Sequence, residues 1–224
     1  MKKIIFTLCI SALSLSAVAD EKPLKKESVP FLKQNDGGEK CFDENTHILN
    51  IGVGFGSRSY RSIYRGAGYA YGRTPAFSLT YEQAYPKKLG PGYLGIGAYL
   101  GFQHEYYRYN YSYWDNSFYY KTYYSKHTWN HYVVAARGAY HWDVLNAKNA
   151  EVYAGVIIGM RFQIHNYESD DPGKKDPYIY SSGIIYPVGS AFAGARWYFA
   201  RNFGLFAELG YGISYATGGF SIKF

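Results

Sequence analysis

Apolar and polar residues alternate along most of the chain, and this period of two predicts β-strands. In the stretch HILNIGVGFG, Leu49, Ile51, Val53 and Phe55 share one face, and the other face carries Asn50 and two glycines. Comparable segments recur at about 76–85, 92–107, 128–143, 149–166, 188–200, 203–215 and 217–224. The pattern therefore predicts eight strands, the last of which runs to the final residue.

The distribution of charge indicates which face of these strands points inward. Alternation alone would also fit a soluble sandwich or a lipocalin-like barrel. Here the face opposite the aliphatic residues carries charges in mid-strand, namely Glu82, Arg137, Arg161, Arg196, Glu208 and Lys223. Aromatic residues cluster at strand ends on the aliphatic side, at Tyr140, Trp142, Trp197, Phe199 and Phe203. Aliphatic residues outside, charges inside and aromatic rims are typical of a barrel surrounded by lipid.

The connections between the predicted strands differ in length. Long connections are expected at about 57–74, 108–127 and 167–187, with short ones between them, and the last two connections are the short turns ARN and ATG. Long loops at one rim, short turns at the other and an even number of strands match an eight-stranded antiparallel up-and-down transmembrane β-barrel. We expect both termini of such a barrel to lie in the periplasm of a Gram-negative bacterium.

The segment GARWYFARNFGLFAELGYGISYATGGFSIKF resembles the C-terminal end of small outer-membrane β-barrel proteins of the OmpA/OmpX type, especially the Bacteroidetes-type barrel domain. The resemblance covers residues 46–224. It implies that the last strand is recognised by the barrel assembly machinery, with Tyr215, Phe220, Ile222 and Phe224 as the signal. Because no residues follow the barrel, a C-terminal peptidoglycan-binding domain is not expected.

The N-terminal region predicts export. Lys2 and Lys3 precede an apolar run and the small-residue site Ala17-Val18-Ala19, so residues 1–19 are expected to be a signal peptide. Residues 20–45 are charged and aperiodic and predict a flexible periplasmic segment, and residues 46–224 form the barrel. Removal of the signal leaves one cysteine, which excludes an internal disulfide. The chain has no run of eighteen apolar residues after the signal, which argues against a helical membrane protein.

Charged residues inside a narrow barrel need partners. We expect Glu82, Arg137, Arg196 and Glu208 to lie at similar heights and to fill the lumen as ion pairs, because unpaired buried charges are very costly. Arg161 is expected higher in the lumen, near Glu105 and Gln103. The alternative is that these groups line a path for protons or ions, as in a small diffusion pore.

Three polar residues near the expected outer rim are candidates for chemistry. Ser125, His127 and His131 could serve an enzyme acting on lipid A or phospholipid, but no acidic partner accompanies them at a recognisable spacing. Two histidines four residues apart on a strand lie too far apart to share a metal ion, and no cysteine or carboxylate cluster joins them. We therefore assign no catalytic, metal or cofactor-binding residue.

Two stretches predict contacts at the cell surface. The first long loop interleaves tyrosines with Arg58, Arg61, Arg65 and Arg73, which suit the phosphates of lipopolysaccharide in the outer membrane. The second stretch, YYRYNYSYWDNSFYYKTYYSKHTWNHY, predicts either a hairpin held by aromatic pairs beyond the membrane or an adhesive surface for a host or other surface ligand. Export removes nucleic acid as a partner. The sequence thus favours a non-enzymatic surface barrel for envelope integrity or adhesion.

Overall fold

The computed structural model describes residues 41–56, 68–114, 119–142, 149–172 and 182–224. Their strands are β1 (His47–Phe55), β2 (Tyr69–Arg73), β3 (Ala76–Ala84), β4 (Gly92–Trp114), β5 (Tyr120–Trp142), β6 (Ala150–Ser169), β7 (Ser182–Tyr198), β8 (Phe203–Gly210) and β9 (Ala216–Lys223). In this part of the chain, no helix is long and apolar enough to cross a membrane. The predicted signal peptide lies outside the described residues, as do the predicted segment up to residue 40 and three of the four loop arginines.

The strands form one closed antiparallel ring. β1 pairs with β3 and with β9, β4 pairs with β3 and β5, and β6, β7 and β8 complete the circuit back to β9. β2 also pairs with β4, so β2 and β3 occupy one position in the ring, interrupted at Thr74-Pro75. Eight positions result, which confirms the predicted eight-stranded up-and-down barrel. This is the fold that the resemblance to small outer-membrane barrels implies.

The chain termini of the barrel meet at the end with the short connections, here called the short-turn end. His47 and Phe224 exchange two backbone hydrogen bonds, of 3.1 and 3.0 Å. β9 is therefore paired along its whole length, with β1 on one side and β8 on the other. An apolar strand at the chain terminus is thus a structural element that closes the ring.

The alternation of the sequence separates an outer and an inner face. Apolar side chains on the outer face are largely exposed, among them Ile51, Leu79, Leu100, Val134, Ile158 and Leu205. Near the short-turn end the outer face carries aromatic pairs, with ring centroids 5.2 Å apart for Tyr140 and Trp142 and 6.2 Å apart for Trp197 and Phe199. The inner face is buried and mostly polar or small. The predicted assignment of faces is therefore the observed one.

Several strand boundaries differ from the sequence prediction. Most of the second expected loop is strand, since β4 continues to Trp114 and β5 begins at Tyr120. The expected ATG turn is wrong, because Ala216 opens β9 and the connection lies at 211–215. The end of the barrel towards which β4 and β5 extend is here called the extended end.

Glycines on the inner face leave room for neighbouring side chains, and this generates a stability prediction. A Cβ atom at Gly52 would lie 2.7 Å from Ser78 Oγ and 2.8 Å from Phe206 Cζ, whereas one at Gly189, on the outer face, would meet nothing within 4 Å. We expect Gly52→Val to lower the free energy of unfolding by about 1–3 kcal/mol through overpacking. Gly189→Val should leave it unchanged or raise it. Urea unfolding of both variants in detergent checks this, and equal losses would contradict the assignment of inner and outer faces.

Candidate functional site in the lumen and on the projecting hairpin

A network of charged side chains crosses the lumen near the short-turn end. Its first link joins Glu82 on β3 to Arg137 on β5, whose Nε donates to Glu82 Oε2 at 3.2 Å. The strand between them, β4, contributes Gly97 at this level. Because Gly97 has no side chain, the two charged groups meet directly across β4. Both are almost completely buried.

The guanidinium of Arg137 also reaches the opposite wall. Its Nη1 and Nη2 donate to the two carboxylate oxygens of Glu208 on β8 at 3.1 and 2.6 Å, which is a bidentate pair. Tyr153 donates its hydroxyl to the same carboxylate at 2.9 Å. The Phe192 ring lies 3.8 Å from the Arg137 guanidinium carbon. Arg137 thus ties two distant strands together across the barrel.

A second ion pair joins β6 to β7. Arg196 Nη1 donates to Glu151 Oε1, and these residues face each other in the strand register. Arg196 Nε donates to Ser221 Oγ at 3.1 Å, and Ser221 donates to Asn50. This pair therefore connects β6 and β7 to the two strands that close the ring.

His141 joins the two parts of the network. Its Nδ1 lies 3.0 Å from Glu151 Oε2, and its Nε2 contacts Glu82 Oε1. With both carboxylates ionised, each ring nitrogen donates a hydrogen bond and the ring is an imidazolium, because an ionised carboxylate only accepts. With His141 charged, three cations (Arg137, Arg196 and His141) balance three carboxylates (Glu82, Glu151 and Glu208). A buried network without net charge avoids much of the penalty of burial.

The sequence did not identify His141 and Glu151 as members of this network. Both lie within predicted strand segments, and His141 shares the face of Arg137, four residues earlier. Assigning every second residue to the inner face as far as the strand ends would have identified both residues. The expected set of Glu82, Arg137, Arg196 and Glu208 does lie together in the lumen, but Arg196 pairs with Glu151 rather than with Glu82 or Glu208.

The short-turn end of the lumen is covered by residues that precede β1. Cys41 and Phe42 are buried, and the Phe42 ring stacks on the His141 ring with centroids 3.7 Å apart and planes 4° apart. An aromatic face against an imidazolium is favourable. Residues 41–45 were predicted to belong to the flexible periplasmic segment, so this buried pair is a contact that the sequence did not indicate.

The upper lumen holds separate polar groups. Arg161 donates to the Gly212 carbonyl at 3.4 Å and lies 5.8 Å from the Tyr186 ring, rather than against Glu105. Arg73 lies on β2 instead of in the first long loop, and its Nε is 3.9 Å from Glu105 Oε1. His131 Nε2 lies 3.8 Å from the other oxygen of Glu105. Arg73 is therefore an inner-face residue with a carboxylate neighbour.

Above the barrel, β4 and β5 form a hairpin that projects at the extended end. The two strands stay paired from Gly92↔Trp142 to Trp114↔Tyr120. A membrane-crossing strand needs about 9–11 residues, whereas β4 has 23. On the inner face of the hairpin, successive tyrosine rings of β4 are in tilted contact, with centroids 5.7 Å apart for Tyr107 and Tyr109 and 5.8 Å apart for Tyr109 and Tyr111. The predicted aromatic hairpin is present.

The hairpin is braced by the end of β6. Asp171 is buried and accepts the hydroxyls of Tyr111 and Tyr113 at 2.7 and 2.8 Å. On the outer face, Tyr124 donates its hydroxyl to Glu168 at 3.0 Å. These contacts hold the projecting strands against the neighbouring one.

The candidate catalytic and metal residues are occupied by other partners. Ser125 is buried and bonds the Tyr167 hydroxyl at 2.9 Å rather than either histidine. His127 Nδ1 faces His165 Nε2 at 3.0 Å in nearly coplanar rings whose centroids are 5.2 Å apart. At this spacing one ring donates a hydrogen bond to the other. The described residues contain no group of three or more potential metal ligands.

The residues of the expected assembly signal lie on two elements. Phe220 and Ile222 are on β9, and Phe224 follows it, stacked on His47 with ring centroids 5.9 Å apart. Tyr215 precedes β9 and stacks on Tyr211 in the connection from β8. Phe220 and Phe224 are exposed on the outer face.

Comparisons with known proteins were made at the levels of sequence and structure. No protein-family model and no curated protein sequence matches the chain. A crystal structure of Ail, the attachment invasion locus protein of Yersinia pestis, in complex with the heparin analogue sucrose octasulfate, matches with a TM-score of 0.40 and 12% identity over 82% of this chain and 100% of that chain. A second Ail crystal structure matches with the same TM-score and coverage at 13% identity. Similarity at this level transfers no property from that protein to this one.

The lumen network predicts a large difference between two glutamates. We expect Glu82→Gln to lower the free energy of unfolding by about 3–5 kcal/mol, because it breaks a buried pair and leaves Arg137 and His141 with excess positive charge. Glu168→Gln removes an exposed partner 3.7 Å from Lys126 and should cost at most about 1 kcal/mol. Urea unfolding of both variants measures the difference, and similar losses would refute the buried network.

The brace of the hairpin predicts the ionisation of its tyrosines. The hydrogen bond to Asp171 raises the pKa of Tyr113, and the hydrogen bond to Glu168 raises that of Tyr124. A raised phenol pKa means that the protonated form stabilises the hairpin below the unfolded value of about 10, and that this stability is lost as pH rises through the folded pKa. We expect Tyr113→Phe to remove a phenolate absorbance step near 295 nm that titrates above pH 10. If the absorbance step that is lost in Tyr113→Phe titrates at or below pH 10, the hydrogen bond between Tyr113 and Asp171 is contradicted.

Proposed function

We propose that the chain is a non-enzymatic outer-membrane barrel that does not conduct and that presents its hairpin as an adhesive surface. The observation that carries this proposal is the outer face, where apolar side chains of all the ring strands are exposed while the charges lie within. A soluble barrel would have the opposite arrangement, since exposed apolar patches of this extent favour association. Lipid is the surrounding that this surface fits.

The orientation follows from the lengths of the two ends. Small outer-membrane barrels have short periplasmic turns and long extracellular connections. We therefore assign the short-turn end, with His47 and Phe224, to the periplasm and the projecting hairpin to the cell exterior. Recognition of β9 by the assembly machinery remains a prediction, as does binding of lipopolysaccharide by Arg58, Arg61 and Arg65.

The lumen supports a closed barrel rather than a diffusion pore. Arg137 spans from β5 to both β3 and β8, and His141 fills the space between Glu82 and Glu151. Phe42 covers this layer from the short-turn end. The interior of an eight-stranded barrel is just wide enough for side chains to fill, so a paired layer of this kind blocks a water column.

An enzyme acting on lipid has less support. Such a site needs a nucleophile within hydrogen-bonding reach of a base. Ser125 is instead buried against Tyr167, and His127 is bonded to His165. The hairpin, by contrast, offers a rigid and exposed surface, which suits a binding role.

Placement in the membrane is tested on whole cells and on purified protein. Unboiled protein in detergent should migrate differently from boiled protein on a denaturing gel, and protease added to intact cells should cleave near residues 115–118 while sparing the barrel. Planar bilayers containing the protein should show no steady conductance. Recovery of the chain as a soluble periplasmic protein would refute the barrel proposal, and a stable open channel would refute the closed lumen.

A further inference from the structure

The part of the hairpin next to residues 115–118 carries a row of cross-strand pairs on its outer face, in which every residue is exposed except the half-buried Tyr124. From the tip downwards, the pairs are Trp114 with Tyr120, Ser112 with Thr122, and Asn110 with Tyr124. We call these six residues the hairpin strip. Trp114 and Tyr120 are 68% and 64% exposed, which is unusual for two large rings in contact. Exposed aromatic surface of this kind marks a binding site more often than it serves the fold.

The geometry of the two rings leaves their faces available. Their centroids are 5.5 Å apart and their planes meet at 61°, so one ring presents an edge to the other. This is an edge-to-face arrangement. On the inner face of the same hairpin, the Tyr107 and Tyr109 rings are in tilted contact and the Tyr111 and Tyr113 rings are stacked. In the described part of the hairpin, Trp114 and Tyr120 form an exposed pair of rings on the outer face that a flat ligand can contact.

Below the rings, the hairpin strip is polar but uncharged. Ser112 Oγ and Thr122 Oγ1 are 2.8 Å apart and both side chains are exposed. Residues two apart on a strand share a face at a spacing of about 7 Å, so these hydroxyls and the Asn110 amide lie within reach of a ligand stacked on the rings. Hydroxyl and amide groups both donate and accept hydrogen bonds.

The nearest cations on this face are already engaged. The Arg108 guanidinium carbon lies 4.3 Å from the Tyr124 ring centroid, and Lys126 is 3.7 Å from Glu168. The side chains of Trp114, Ser112, Thr122 and Asn110 carry no charge, so their contacts with a ligand are apolar contacts and hydrogen bonds between neutral groups. A second protein would need a larger apolar surface than two rings provide.

We propose that the hairpin strip binds a neutral oligosaccharide. A pyranose ring has an apolar face of C–H groups, which stacks on Trp114 or Tyr120, and a rim of hydroxyls, which bond to Ser112 and Thr122. Asn110 lies four residues from Trp114, about 13 Å along the strand, and bonds to a following sugar of the same oligosaccharide. The hairpin is rigid before binding because Asp171 and Glu168 brace it, so little ordering accompanies association. This inference rests on the proposed function, because the strip must face the cell exterior to meet a ligand.

The test uses the full purified chain in detergent on an array of neutral oligosaccharides built from glucose, galactose and N-acetylhexosamines, with heparin hexasaccharide as the sulfated probe. We expect neutral sugars to bind with an affinity that does not change between about 0.05 and 0.5 M salt. Trp114→Ala and Tyr120→Ala should each weaken binding at least tenfold. Tyr106→Ala is the matched control, because Tyr106 lies on the same face of β4 below the strip, and it should have no effect.

Each other outcome overturns the proposal. Binding of heparin alone, falling as salt rises, would mean that cations rather than the aromatic pair select the ligand. Neutral binding that survives Trp114→Ala would move the site elsewhere, and absence of binding to every sugar would leave the strip without this role. Gel migration of each variant verifies that it folds. Failure here leaves the gel and conductance measurements intact, so the proposed barrel function is judged separately.

Discussion

The pairing of buried charges in the lumen is the constraint on which the rest of the structure depends. Six ionisable groups, three of each sign, lie inside a ring of strands whose outer surface is apolar. Each group is tolerable there only because it has a partner of opposite charge. The register of the strands must therefore bring particular residues to the same level. Two glycines leave room for this pairing. A side chain at Gly97 would collide with Tyr81 and Glu82, and one at Gly194 would collide with Tyr153 and Glu208.

The sequence predicted the fold and the inner face well, because the alternation of apolar and polar residues shows which residues of each strand face inward. Leu49, Ile51 and Val53 point outward, and Glu82, Arg137 and Arg196 point inward, as their positions required. The sequence could not predict which inner residues meet across the lumen. The pairing of Arg137 with Glu208 depends on the stagger between distant strands, and stagger is set by the whole ring. His141 and Glu151 were missed because they lie at strand ends, where apolar and polar residues no longer alternate clearly.

The hairpin is the other region where the alternation of apolar and polar residues did not predict the strand boundaries. Outside a lipid layer, neither face of a strand needs to be apolar, so alternation no longer distinguishes strand from loop. Between Tyr106 and Thr128 both faces carry tyrosines and polar residues, and the expected boundaries fell many residues short of the observed ones. What supports the strands there is contact between neighbouring rings, such as Tyr113 and Tyr123 with centroids 5.2 Å apart. Such contacts favour a hairpin but do not mark its end.

The lumen and the projecting hairpin share the strands β4 and β5, so both regions have the same strand register. A slip of one residue between these strands would turn Arg137 and His141 towards the outer face and leave Glu82 without its partners. The charge network therefore fixes the register of β4 against β5 at the short-turn end, and continuous pairing carries the same register to Trp114 and Tyr120. The position of the exposed rings is consequently determined by ion pairs at the far end of the barrel. The charge network in the lumen thus has a structural role, because it fixes the register of the strands whose far ends carry Trp114 and Tyr120.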